Sequence, residues 1–193
     1  LIKKNQIIVN TAKGLENRSL LRMSEVISSE MTSFNNIVSL YGPSHAEEVI
    51  NNQPTTLVSA SDDLDIAKKV QSIFSSDNLR VYTNQDIIGV ELGGSLKNVI
   101  AIATGICDGI GFGDNTKAAL LTRGMAEIIR LGEKMGANPS TFSGLSGVGD
   151  LIATCLSQHS RNRFIGQSIG EGKNLDEILN SMDMVLSTFL YII

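Results

Sequence analysis

The chain has 193 residues, with 16 Lys+Arg against 20 Asp+Glu and a formal net charge of −4. At roughly 100–200 residues per domain this length allows one ordinary domain or two small ones, and a hydrophobic content of 42% excludes a disordered chain. The acidic balance lacks the footprint of a nucleic-acid binder, and no uninterrupted apolar run approaches the ~18 residues of a membrane span. Cys107 and Cys155 form no CxxC pair, which points to a reducing compartment, the cytoplasm.

The chain opens on Leu1 without a signal-peptide pattern and enters a strand-like run at once, so it reads as beginning in mid-fold. Short β-branched or apolar runs at 7–12, 36–41, 55–60 and 80–83 predict strands, with helices between them. The clearest helix is 61–74, with Ser61 as its expected N-cap, acids in its first turn and Leu64, Ala67, Val70 and Phe74 along one face. Alternating strands and helices predict βαβ units and a largely parallel sheet. After about Asp86 the strand signals stop. Leu92, Leu96, Val99, Ile100, Ala103 and Ile106 follow helical spacing, as do Leu120, Leu121, Ile128, Leu131 and Met135, with Asn115 as the expected cap and Gly136 as the expected stop. A loop at 146–149 leads into a helix at 150–156, and Ser160 opens another. The organisation expected is an α/β part over 1–84 and an all-α part over 85–193.

Ligands of an open parallel sheet bind beyond the carboxyl ends of its strands. There the first strand delivers Lys13 and Gly14. The second delivers Gly42-Pro-Ser-His-Ala46, a turn suited either to a phosphate or cofactor or simply to joining a strand to a helix. Lys97 has Gly93, Gly94, Ile100 and Ala101 as helical neighbours and no carboxylate among them. That setting desolvates an ammonium and tunes it for proton transfer, unless the side chain merely snorkels to solvent. Asp150 and Thr154 share a helix face after a glycine-rich loop, a carboxylate that is otherwise a plain cap. Ser160, Arg161 and Asn162 at a helix start suit a phosphate dianion or an ordinary cap with exposed arginines. Gly109-Ile-Gly-Phe-Gly113 follows a helix and has the wrong spacing for a dinucleotide loop, and two unpatterned histidines argue against a metal site.

Six segments taken in order, Asn10-Thr-Ala-Lys-Gly-Leu-Glu16, Gly42-Pro-Ser-His-Ala-Glu-Glu48, Glu91-Leu-Gly-Gly-Ser-Leu-Lys-Asn-Val-Ile-Ala101, Gly113-Asp-Asn-Thr-Lys-Ala118, Gly147-Val-Gly-Asp-Leu-Ile-Ala-Thr-Cys155 and Ser160-Arg-Asn162, resemble the bacterial NAD(P)-dependent sn-glycerol-3-phosphate dehydrogenases. The resemblance implies the C-terminal part of a Rossmann-type parallel sheet, followed by an all-α substrate and dimerisation domain like the C-terminal domain of 6-phosphogluconate dehydrogenase. It implies hydride transfer between NAD or NADP and a small phosphorylated substrate, interconverting dihydroxyacetone phosphate and sn-glycerol 3-phosphate for phospholipid synthesis. A related hydroxyacid dehydrogenase, or an inactive remnant or partner chain, is the alternative. Lys97 matches the family's proton donor and acceptor, with Asp150 and Lys13 beside it as catalytic positions. Lys13, Gly42, Ser44, Asp150, Ser160, Arg161 and Asn162 fall at substrate positions, and Lys13, Ala46 and Arg161 near the coenzyme. A homodimer, or a complementing N-terminal chain, is the implied partner. No GxGxxG occurs in the sequence, so weak NAD(P)H binding by these residues alone is expected. After Met182-Asp-Met-Val185 the run to Ile193 departs from the family pattern.

Overall fold

The computed structural model describes residues 6–31 and 36–180; the divergent end from Leu186 lies outside them. Strands β1 (Ile8–Asn10), β2 (Ile37–Tyr41), β3 (Thr55–Ala60) and β4 (Leu79–Asn84) form one sheet in sequential order. β1 runs parallel to β2 and β3 parallel to β4, but β2 and β3 are antiparallel, with Tyr41 opposite Val58. Two of the three pairings are parallel, in keeping with a largely parallel sheet, and the β2–β3 step is the antiparallel departure from it. Between β2 and β3 lies only the five-residue helix α2 (Ala46–Ile50) with its flanking turns. A helix of that length rises about 7.5 Å, too little to carry the chain back along β2 for a parallel start.

The alternation of β2 and β3 decides what covers each face. Val38 packs with Ile66 and Val70 of helix α3 (Leu64–Phe74), and the Ser59 hydroxyl on that side donates to Ala67 O. Tyr41, Val58 and Ala60 on the other side pack against Ile87 and Val90 of helix α4 (Ile87–Ile110). Helix α1 (Met23–Glu30) covers the rest of β2 on the α4 side. Two caps differ from expectation. Asp63, not Ser61, accepts from the first turn of α3, at Asp65 N and Ile66 N; Ser61 instead donates to Ile37 O across the sheet. Gly113, not Asn115, precedes helix α5 (Asp114–Lys134). The expected loop 146–149 belongs to a π-helical turn, Leu145–Gly149, which runs directly into helix α6 (Asp150–Leu156).

Helix α4 organises the rest. It extends four residues beyond the expected end at Ile106 and stops at Gly111, whose φ of +85° closes it. Despite Glu91, Lys97 and Asp108, its 24 residues are long and on average apolar enough to cross a membrane by length and composition, more than the sequence count of uninterrupted apolar residues suggests. Here it is a core helix: Leu92 meets Ile128, Ala137 and Phe142, and Ala101 meets Leu151 and Cys155. Against helix α7 (Arg161–Gly170) it packs backbone to backbone. A Cβ on Gly105 would lie 2.0 Å from Arg163 O, and one on Gly166 would lie 2.0 Å from Ile102 O. These glycines permit the crossing, so Gly105→Ala is expected to cost about 3 kcal/mol in urea unfolding because the two backbones must separate. An unchanged midpoint would show that the crossing tolerates a wider spacing. The last described helix, α8 (Leu175–Asn180), sets Ile178 against Ile165.

Candidate active site

Three elements bring the predicted residues together. The turn after β1 carries Lys13, α4 carries Lys97 one turn beyond its glycines, and the first turn of α6 carries Asp150. The Asp150 carboxylate bridges both lysines through separate oxygens, with Lys13 Nζ 2.6 Å from Oδ2 and Lys97 Nζ 2.9 Å from Oδ1. Lys97 also donates to Thr154 Oγ1, and the Thr154 hydroxyl faces Asp150 Oδ1 at 3.4 Å. Asp150 and Lys97 are buried, their side chains 3% and 8% exposed, whereas that of Lys13 is 25% exposed.

No helical neighbour of Lys97 is a carboxylate, and its acidic partner arrives from α6, where the family resemblance also puts Asp150 beside it. Burial, however, still dominates. It holds the Lys97 ammonium below the ordinary lysine range, the Lys13 charge pushes the same way, and the Asp150 carboxylate opposes both. A snorkelling lysine would keep its head in water, and this one does not.

Lys13, Lys97, Ser160, Arg161 and Asn162 line a single cavity of about 280 Å³ together with Thr11 and Asn98. Ser160 caps α7 by accepting from Arg163 N at 3.3 Å, which turns the start of α7 toward the cavity. Asn162 Oδ1 is buried without a hydrogen-bond partner among the described residues. Gly42 lies outside the cavity lining and meets the site through Lys13, its carbonyl accepting from Lys13 Nζ at 3.3 Å. Its φ is +150°, and a Cβ there would meet Thr56 O at 2.9 Å, so only glycine suits the turn. Ser44 and Ala46 are exposed and outside the cavity wall; Ser44 Oγ donates to Gly42 O within its own turn. His45 between them lines the cavity instead, as does His159, their rings 6.2 Å apart. The two histidines are unpatterned for a metal in the sequence. Their positions beside the Gly42 turn and the Ser160 cap were the available signal.

Two ionic clusters join residues too far apart in the chain to show as a local sequence pattern. Glu91, 1% exposed, accepts from Arg22 Nη1 at 2.8 Å, Ser24 N at 2.9 Å and the hydroxyls of Ser24 and Ser39 at 2.7 Å each. It joins α4 to α1 and β2 just upstream of Lys97. Asp108 near the end of α4 binds Lys117 of α5 at 3.0 Å and Arg163 of α7 at 2.7 Å. Burial raises its carboxyl, but the two cations outweigh that and hold it below the usual carboxylate range. The folded chain therefore releases this proton more readily than the unfolded one. Asp108 contributes stability that is present above the ordinary aspartate range and lost as pH falls through its lowered value. Asp108→Asn is expected to flatten the acid limb of a urea-midpoint profile, and an unchanged limb would deny the cluster that role.

Residues 86–191 match the family described as NAD-dependent glycerol-3-phosphate dehydrogenase C-terminus, and residues 1–67 match its N-terminus. The chain is 56% identical over 184 residues to a glycerol-3-phosphate dehydrogenase (NAD(P)+) of Chlorobium luteolum, covering 94% of this chain and 55% of that protein. It is 58% identical over 187 residues to one of Pelotomaculum thermopropionicum, covering 96% and 54%. The crystal structure of glycerol-3-phosphate dehydrogenase from Coxiella burnetii superposes with a TM-score of 0.94 at 38% identity, over 99% of this chain and 58% of that one. The chain thus spans about half the length of the curated relatives it matches.

Proposed function

The chain belongs to the NAD-dependent glycerol-3-phosphate dehydrogenase family, and from that premise we propose that its cavity interconverts dihydroxyacetone phosphate and sn-glycerol 3-phosphate. The observation that carries this reading is one carboxylate holding two lysines beside a cap of Ser160, Arg161 and Asn162. The Arg161 guanidinium and the start of α7 suit the substrate phosphate, and Asn162 Oδ1 accepts from a substrate hydroxyl.

An ammonium has three N–H donors. Lys97 spends two on Asp150 and Thr154, leaving one for the substrate's C2 oxygen. As that oxygen gains negative charge, Lys97 stabilises it and delivers the proton. The lowered proton affinity of Lys97 makes the delivery easier, and in the reverse direction the neutral amine takes the proton back. Asp150 fixes both lysines and keeps the pair from carrying two uncompensated charges. Lys13 supplies the second cation at the carbonyl.

The cavity fits the reacting end of a nicotinamide coenzyme, since it opens at the carboxyl ends of β1 and β2 with Lys13, His45 and Arg161 on its wall. When bound there, NAD(P)H supplies the hydride for the C2 carbon.

Two measurements test the proposal, made on an enzyme that carries these residues together with a nucleotide-binding segment of the family. Arg161→Ala should raise KM for dihydroxyacetone phosphate about 10- to 100-fold, the loss of a charged hydrogen-bond donor. Equal rates with unphosphorylated dihydroxyacetone would refute the phosphate site. The rate of ketone reduction should fall as pH rises through a value below the ordinary lysine range, because Lys97 must be protonated to donate. Asp150→Asn should move that limb lower still, having removed the charge that opposes burial. A limb that stays in place would separate Asp150 from the proton donor.

We place the protein in the cytoplasm, where Cys107 and Cys155, both free thiols, stay reduced. We further propose division at residues 84/85 and a homodimer, which light scattering tests.

A further inference from the structure

Tyr41 is the last residue of β2 and 1% exposed, and the reaction described above makes no use of it. Its ring occupies the space that Gly94 of α4 leaves open, since a Cβ there would come within 2.7 Å of Tyr41 Cδ2. Packing alone would be served by a phenylalanine of the same shape. What the hydroxyl adds is a pair of hydrogen bonds: it donates to Ala12 O and accepts from Asn10 Nδ2 at 3.1 Å. Asn10 completes the arrangement, donating to Ala12 O at 3.2 Å and accepting from Ala12 N at 3.0 Å. Both backbone groups of the residue before Lys13 are thus held by two buried side chains.

The turn is fixed on its other side as well. Gly14 N donates to Ser95 Oγ at 3.0 Å, and that hydroxyl donates to Glu91 O on α4. Above this turn the Lys13 ammonium lies 5.7 Å from the centre of the Tyr41 ring, within the range in which a cation is attracted to an aromatic face. A free lysine samples many rotamers, and this one reaches a single carboxylate oxygen from a pinned backbone along an aromatic surface.

We infer that Tyr41, supported by Asn10, is a positioning residue for Lys13, setting the reach of its ammonium to Asp150 and thereby the arrangement of Asp150 against Lys97. The structural claim stands on the contacts above, and only its consequence for ligand binding rests on the proposed function.

Two experiments on the full chain test it. In the first, lysines are labelled by reductive methylation and read by mass spectrometry, well below the melting temperature of every variant. Lys13 should label about threefold faster in Tyr41→Phe and faster again in Tyr41→Leu, which also loses the ring, while Lys68 and Lys69 stay at wild-type rates. Equal Lys13 rates in wild type and Tyr41→Leu would overturn the inference. So would uniform acceleration at every lysine, the mark of general loosening.

The second is a double-mutant cycle on the dissociation constant of sn-glycerol 3-phosphate. Tyr41→Phe should weaken binding about fivefold in the Lys13 background and leave it unchanged in a Lys13→Met background, because the tyrosine acts through the lysine. Full additivity would show Tyr41 acting independently and overturn the inference. Absence of binding in wild type would count against the proposed substrate, and the labelling rates would still decide the role of Tyr41.

Discussion

Replacing Lys97 by alanine is expected to lower turnover about 10²- to 10⁴-fold while changing coenzyme affinity little. The magnitude follows from the geometry of the site. The cavity holds two ammonium groups, but only Lys97 is held by both Asp150 and Thr154. Lys13 keeps partial access to solvent and spends one donor on the Gly42 carbonyl, so it is not expected to take over the proton transfer proposed for Lys97. The loss should appear in kcat more than in KM, because the interaction strengthens as charge develops on the substrate oxygen. Lys97→Ala also leaves Asp150 paired with Lys13, so the fold should survive the change and the kinetic reading stays clean. Turnover within a factor of about three of wild type would remove Lys97 from the chemistry.

The second large effect is on stability. Glu91→Ala is expected to cost about 2–3 kcal/mol in urea unfolding, because it removes the buried partner of the Arg22 guanidinium, which keeps only the half-exposed Glu25 as an ion pair, and leaves the Ser24 and Ser39 hydroxyls without their acceptor. Replacing the ion pair as a whole, with Glu91→Leu and Arg22→Met together, should recover much of that loss, since the desolvated cation is then gone. If the single substitution costs under about 1 kcal/mol, the cluster is dispensable to the joint between sheet and helices.

Much of the architecture was legible from local pattern. The buried runs of β2 and β3 and the apolar stripe of α3 are signals carried within a few residues, and the strands and helices lie close to where those signals place them. Geometry involving distant segments was not legible. The antiparallel pairing of β2 with β3 depends on how little helix forms between them, which propensity does not state. Ser61 and Asp63 are both good caps, and a hydrogen bond across the sheet to Ile37 decides between them. The site divides the same way. Lys97, Asp150 and the Ser160 cap were each visible as residue types in suitable settings, but the Lys13 and Asp150 pair joins residues 137 positions apart. The pair of Arg22 and Glu91 spans 69 positions, so nothing local to Glu91 marks its partner.

The glycines show both sides of this. Gly42 announced a special turn through its neighbours Pro43 and Ser44, whereas Gly105 and Gly166 carried no local sign that two helix backbones meet there. Gly109, set aside as part of a false dinucleotide loop, takes part in the same crossing, where a Cβ would lie 2.2 Å from Gln167 O.

The most direct test of the central claim is a crystal structure with sn-glycerol 3-phosphate bound. The phosphate should rest on Ser160, Arg161 and Asn162, with the C2 hydroxyl within hydrogen-bond reach of Lys97 Nζ. A phosphate seated elsewhere, or a C2 oxygen out of reach of Lys97, would contradict it.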